Sequence, residues 1–345
     1  MKKIVKQVAA IDVAQKELVV ALGRMYDDWN PEIHAHKTFP NTKKGFAALL
    51  LWVSKLTEAD QPVRYVMVAT GVYHESLAYF LDENGHEVSI ILPNKISNYF
   101  RTLEVRTITD KSASQAIALF GLERKLDIWK RPAKVFKVLR QLTRERDQII
   151  QDRTLAKNQL HAEKAEAEPL QNSITRITKR IALLNKQLEE IIKEISQYLN
   201  EHRQVKESVN LVCSIPGIGR LTAVTVLAET NGFELIRNKK QLTCYAGFDV
   251  KEKQSGTSVK GNTSISKRGN KYLRKAMHMP SISAIQHDER CKAIYTRLVS
   301  KHGIKMKGAV AVQRKLLEMI YTIHKSGKKF DRDYFLTQQA QLTVA

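Results

Sequence analysis

Short apolar runs and amphipathic stretches alternate through the first third of the chain. Val8 to Val13 and Leu18 to Leu22 are apolar or β-branched, and the polar triplet Gln15-Lys16-Glu17 parts them as a turn. Ile33, Ala35, Lys37 and Phe39 continue at strand spacing until Pro40-Asn41 ends the run. Asn41 is expected to cap a helix that carries Phe46, Leu49, Leu50 and Val53, with Trp52 in its core. Arg64 to Ala69 reads as a buried strand, and a helix through Leu77, Phe80 and Leu81 follows Thr70-Gly71. Glu87 to Leu92 is the next strand, Pro93-Asn94 opens another helix, and Asp110 is expected to cap one over Lys111 to Lys125.

Three strands, helix, strand, helix, strand and helix is the order of an RNase H-like fold. In such a fold, carboxylates on the first strand, the fourth strand and the last helix converge on metal. Residues 1–132 are assigned to this α/β domain. Residues 133–206 read as long helix split by Pro169, which lacks a helical donor and clashes with the preceding turn. Beyond the break, Ile174, Ile177, Ile181, Leu184, Leu188, Ile191, Ile195 and Tyr198 alternate at spacings of three and four, a coiled-coil seam. The seam suits an antiparallel hairpin within one chain or a coil between subunits. Residues 207–330 read as a mainly helical domain, with Pro280 a break, and 331–345 as a polar tail.

Lys and Arg outnumber Asp and Glu by 57 to 35, a net charge of +22. That excess points to nucleic acid ahead of any acidic small molecule. Cys213, Cys244 and Cys291 are scattered without metal-ligand spacing and read as reduced core thiols. The N-terminus turns polar too soon for a signal peptide, and no apolar run approaches the length of a membrane span, so a cytoplasmic protein without membrane contact is expected. His34 and His36, two apart on an alternating strand, are expected to share one face at a surface or interface.

The chemistry concentrates between Tyr245 and Lys275. Ser255-Gly256 opens a polar stretch that turns basic through Lys260, Lys267, Arg268, Lys271, Arg274 and Lys275, with no acidic residue between Glu252 and Asp288. Such a run holds a polyanion against an exposed hydroxyl, which suits attack on a phosphodiester. Upstream, Pro216-Gly217-Ile218-Gly219 sits between apolar helices like the turn of a helix-hairpin-helix element. Gly217 and Gly219 permit the turn, and the next helix presents backbone N–H groups to a phosphate. Tyr73, beside a motif glycine, is a candidate for stacking on a base, whereas Tyr245 is expected to pack.

These residues together resemble the transposases of the insertion-sequence-110 family along nearly the whole chain. The matching segments are Ala10-Ile11-Asp12-Val13, Ala69-Thr70-Gly71-Val72-Tyr73-His74, Thr109-Asp110-Lys111, Ile215-Pro216-Gly217-Ile218-Gly219, Tyr245-Ala246-Gly247, Gln254-Ser255-Gly256 and Ser266-Lys267-Arg268-Gly269-Asn270. The resemblance implies a RuvC-like DEDD domain joined to a serine-bearing transposase domain. It also implies a structured bridge RNA that pairs with donor and target double-stranded DNA, and a homo-oligomer, a dimer assembling to a tetramer, in the bacterial cytoplasm at the nucleoid. Carried over, Asp12 and Asp110 match two acidic positions that hold Mg²⁺, and Ser255 matches the nucleophile that forms a transient phosphoserine link. Lys267 and Arg268 then clamp the DNA backbone.

Two acidic positions of the pattern are lost. Val68 stands where Glu precedes Ala-Thr-Gly, and Ala113 stands where a second Asp follows Asp110 by one helical turn. A divalent ion beside a phosphate needs hard oxygen ligands. The expectation is therefore a chain that binds its RNA and DNA and recombines poorly. The alternative is a cleavage-deficient regulator that occupies DNA. A RuvC-like resolvase without serine chemistry leaves the second domain unexplained.

Overall fold

The structure, a computed structural model, describes residues 3–69, 71–103, 107, 109–234, 236–252, 254–255, 259–261 and 263–331. The chain divides into two compact units, Met1–Arg131 and Pro132–Ala345.

The first unit is a five-stranded mixed sheet with helices on both faces. Strands β1 (Ile4–Val13), β2 (Glu17–Tyr26) and β3 (Pro31–Pro40) form an antiparallel meander, and α1 (Lys43–Leu56) follows. Then come β4 (Val63–Val68), α2 (Glu75–Glu83), β5 (Val88–Ile91), α3 (Pro93–Phe100) and α4 (Asp110–Glu123). The sheet order is β3-β2-β1-β4-β5, with β4 parallel to both β1 and β5. The order of elements along the chain is the one expected of an RNase H-like fold. The pleat sends Ala9, Ile11, Tyr65 and Met67 into the core under α1 and α2, and Val8, Ala10, Val66 and Val68 into the core under α3 and α4. Gly121 lets α4 lie close on the sheet: a Cβ there would stand 3.0 Å from Val8 and 3.2 Å from Val66.

Three local expectations need correction. The N-cap of α1 is Thr42, whose side chain accepts from the Gly45 N–H, while the Asn41 amide bridges the Ala14 and Tyr73 carbonyls. The cap of α4 is Thr109, not Asp110, because Ser112 reciprocates and completes a capping box. His34 and His36 do not share a face. The β2–β3 register shifts between Leu22 and Gly23, which pair with Ala35 and Ile33, so His34 falls in a bulge. His34 meets the Leu56 carbonyl at the end of α1, and Lys111 of α4 acts on His36.

The second unit begins with α5 (Lys134–Ala165) and α6 (Gln171–Glu201), and Pro169 lies in their connection. The arms run antiparallel within the chain: Arg153 donates to Asn185 at 3.2 Å and Arg180 to Gln159. Leu184, Leu188, Ile191, Ile195 and Leu199 are buried, while Leu155, Leu170 and Leu183 farther out are exposed. Helices α7 (Arg203–Val212), α8 (Arg220–Glu229) and α9 (Lys239–Ala246) lead to four two-residue strands. These are β6 (Val250–Lys251), β7 (Gln254–Ser255), β8 (Val259–Lys260) and β9 (Ser264–Ile265), with β6 pairing β9 and β7 pairing β8. Helices α10 (Lys271–Ala276), α11 (His278–His287), α12 (Glu289–His302) and α13 (Lys305–Ser326) complete the unit.

Pro280 does not break the helix as expected. It lies in the first turn of α11, where a missing N–H is no loss, and the interruption falls at Met277. Cys291 is buried, its thiol pushed up to about 12 by burial and then by Asp288, but Cys244 is exposed rather than core. The tail beyond Asp331 lies outside the described residues. Among those described, no helix is long and apolar enough to cross a membrane.

Candidate active site

Asp12 sits near the C-terminal end of β1, on the α4 side of the sheet, two residues past buried Ala10. Asp110 is the first residue of α4 and is exposed. The fold brings the two together. Burial, and then the charge of Asp110, raise the Asp12 carboxyl above its ordinary value, against a lowering hydrogen bond from the Val13 N–H. The two carboxylates are thus close enough for the charge of one to act on the other.

At Val68 and Ala113 the resemblance leads one to expect carboxylates. The β1–β4 register pairs Ile11 with Met67, so Asp12 and Val68 are the next neighbours along the two strands, on the same face. Val68 is 5% exposed, at the edge of the α4 core. Ala113 is half-buried, one turn beyond Asp110, and its N–H bonds the Thr109 carbonyl at 2.8 Å. Neither side chain offers an oxygen. The two aspartates fit a divalent ion that keeps water and substrate oxygens for the rest of its shell, as Mg²⁺ does. Among the described residues, no group of three or more His, Cys, Asp or Glu is placed to hold a metal ion.

Ser255 ends β7 and pairs with Val259 of β8, with Gln254 opposite Lys260, so the serine lies on a small hairpin. Gly256 lies outside the described residues. The hairpin leaves from a braced neck. Ser266 donates its N–H to the Asp249 carbonyl and its hydroxyl to the Asp249 carboxylate, and the Lys267 N–H bonds the Gly247 carbonyl at 3.2 Å. Lys267 takes a left-handed φ of 53° at this neck. Lys267, Arg268 and Lys271 are exposed, but Arg274 is half-buried and donates Nη1 to the Ala246 carbonyl at 2.7 Å. Tyr73 is 45% exposed ahead of α2. Gly217 and Gly219 divide in role: Gly217 has φ +83°, and a Cβ there would stand 2.9 Å from the Pro280 carbonyl, whereas Gly219 is open. Gly217 therefore serves packing on α11 as well as the turn.

One charged group in this unit was invisible in the apolar run of α8. Glu229 is 2% exposed and accepts both Arg144 Nε (2.7 Å) and Nη2 (2.8 Å), and Asn270 Nδ2 (2.6 Å). Asn270 also caps α10 through Oδ1, and the Tyr245 hydroxyl donates to the Glu229 carbonyl at 3.0 Å. This network anchors the C-terminal side of the serine segment.

Two family models match the chain. One, for DEDD transposases of the IS110 type, spans residues 9–163, and one described as the transposase IS116/IS110/IS902 family spans 209–296. Together they take in well over half of the chain, in the expected order, and the chain belongs to the IS110 transposase family. By that membership it is a DNA transposase or recombinase. The pilin gene-inverting protein of Moraxella bovis is 28% identical over 301 residues, 86% of this chain and 90% of its own. The transposase for insertion sequence element IS1111A of Coxiella burnetii is 27% identical over 145 residues, 41% of this chain and 39% of its own. A Thermus thermophilus RuvC, solved in complex with Holliday junction substrate, aligns with 36% of this chain and 99% of its own at 10% identity and a TM-score of 0.28.

Proposed function

We propose that the chain is an RNA-guided recombinase in which Ser255 is the nucleophile and the acid site is impaired. The observation that carries this reading is the place of Val68. It lies beside Asp12, on the face where a third carboxylate belongs, while Asp12 and Asp110 are still brought together. In the proposed step, Ser255 Oγ bonds to phosphorus, the bond from phosphorus to one strand oxygen breaks, and the hydroxyl proton leaves to solvent as the departing oxygen gains one. A hydroxyl is a poor nucleophile unless the phosphate charge is offset. A divalent ion on Asp12 and Asp110 would offset it. Lys260, Lys267, Arg268 and Lys271 hold the DNA backbone, and the net charge of +22 serves DNA and a structured guide RNA alike. A dimer, assembling to a tetramer, is the expected active species.

A second reading is supported by the same two positions. Val68 and Ala113 suit a regulator that binds nucleic acid without cutting it, while the retained Ser255 favours the enzyme. Two-plasmid recombination with the element's own non-coding RNA tests them: residual recombination by the unreverted chain is given only by an impaired enzyme, and none at all by a regulator. The comparison is between this chain, Val68→Glu with Ala113→Asp, and Ser255→Ala added to that double reversion. Residual recombination by this chain, and strong recombination by the double reversion that Ser255→Ala abolishes, is the expected result. Equal recombination by the unreverted chain sinks the impaired-site reading.

A further inference from the structure

A cavity of about 240 Å³ opens in the second unit between α5, α8 and the α10–α11 corner. Arg144, Arg146 and Lys275 line it, against the carboxylates of Glu229 and Asp147. Two of the three cations are paired: Arg144 with Glu229, and Lys275 with Asp147. Arg146 is not. Its Nε is wholly buried and donates to nothing among the described residues. Burial works against its charge more strongly than neighbouring Asp147 supports it. With Arg146 outside either ion pair, the lining holds three cations against two carboxylates, an excess of positive charge that suits an anion.

The rest of the lining says what kind. Arg144 remains 42% exposed although Glu229 is buried, so the guanidinium still presents an edge to solvent. The Tyr272 ring lies under it at 4.5 Å, which fixes its plane. Leu221 and Met279, the latter 68% exposed, form an apolar shelf beside the cations. Cations next to an apolar shelf match a phosphate joined to a sugar. We propose that this cavity binds one backbone phosphate of a nucleic-acid strand, its oxygens accepting from Arg146 and Lys275 beside Arg144, with the attached sugar on the Leu221–Met279 shelf.

The inference rests on the nucleic-acid reading above and joins Arg146, far away in sequence, to Lys275 at the end of the basic run. Its test uses the full chain, Arg146→Ala and Arg146→Met. Fluorescence anisotropy is followed on duplex DNA, single-stranded DNA and RNA of one sequence, from about 50 to 200 mM salt. Loss of one phosphate contact lowers the salt slope of log K by about 0.9 on duplex DNA or about 0.7 on a single strand, so the slope also tells which nucleic acid fills the cavity. Affinity for that probe is expected to fall about tenfold, the worth of one hydrogen bond to a charged group. Arg146→Met is expected to melt no lower than the parent, since it removes a stranded donor. Unchanged slopes on every probe that the parent binds overturn the cavity assignment alone. A parent that binds none of the three overturns the nucleic-acid reading and this inference with it. A lower melting point with unchanged slopes makes Arg146 structural and also overturns the assignment.

Discussion

Asp12 and Glu229 are both carboxylates drawn out of water, one in each unit, and their surroundings treat them in opposite ways. Glu229 is met by a two-pronged guanidinium and an amide, so each oxygen has a donor. Asp12 has one backbone N–H and a second aspartate, whose charge works against its own. A satisfied carboxylate braces the fold, whereas one left facing a like charge marks a place where a cation or a substrate completes the set.

The sharpest way to break the comparison is Arg144→Ala. It leaves Glu229, 2% exposed, with its charge answered only by Asn270. Glu229 is buried but Arg144 is 42% exposed, so the loss is expected at about 2–3 kcal/mol, short of the ~3–5 kcal/mol of a fully buried pair, read from chemical denaturation. A loss below about 1 kcal/mol, the range of a surface pair, would remove Glu229 from the role of brace.

Val68→Glu comes next and pushes the acid site the other way. It places a third carboxylate beside Asp12 in a position that is now 5% exposed and apolar. In chelator at neutral pH it is expected to lower stability by about 2 kcal/mol, as burying a polar group without a partner does. Added Mg²⁺ should restore much of that loss and should raise the parent's melting point far less, since ligand binding stabilises in proportion to affinity. Equal response to Mg²⁺ in the two proteins would mean that position 68 does not face the ion.

How much of this was legible beforehand depended on whether a feature is set by local pattern or by distant contact. The strands and their order along the chain follow from alternation and turn residues, whereas their order in the sheet is set by pairings that the pattern does not contain, and Pro169 marks the connection of the helical arms. Asp12, Asp110 and the two lost positions could be named only through the resemblance to the insertion-sequence-110 transposases, whose motifs they match or depart from. The cap of α4 was missed by one residue, since Thr109 and Asp110 can both cap and the choice rests on Ser112 reciprocating. The bulge that parts His34 from His36 leaves alternation intact in the sequence and shifts only the pairing. Glu229 sits in the run Thr225-Val226-Leu227-Ala228-Glu229, where nothing distinguishes it from a solvent-facing helix end. Its partners are 85 and 41 residues away, and only the packing of α5 and α10 reveals it.

The smallest expected effect, Asp12→Asn, tests the premise that the acid pair is unsatisfied. A carboxyl whose folded-state value is raised holds its proton more tightly folded than unfolded. Stability therefore falls as pH rises from the ordinary Asp range through the raised value, and the penalty is complete above it. Asp12→Asn keeps the shape and removes the titration. At neutral pH the variant is expected to be slightly more stable than the parent, by less than about 1 kcal/mol because the half-exposed site is screened by water. The gap should close as pH drops below the ordinary Asp range, where the parent carries the proton in both states. Denaturation midpoints across acidic to neutral pH, with and without Mg²⁺, check this, and Mg²⁺ should narrow the neutral-pH gap by stabilising only the parent. A variant less stable than the parent at neutral pH in chelator would show that the Asp12 carboxylate already has favourable partners, and the contrast with Glu229 would collapse.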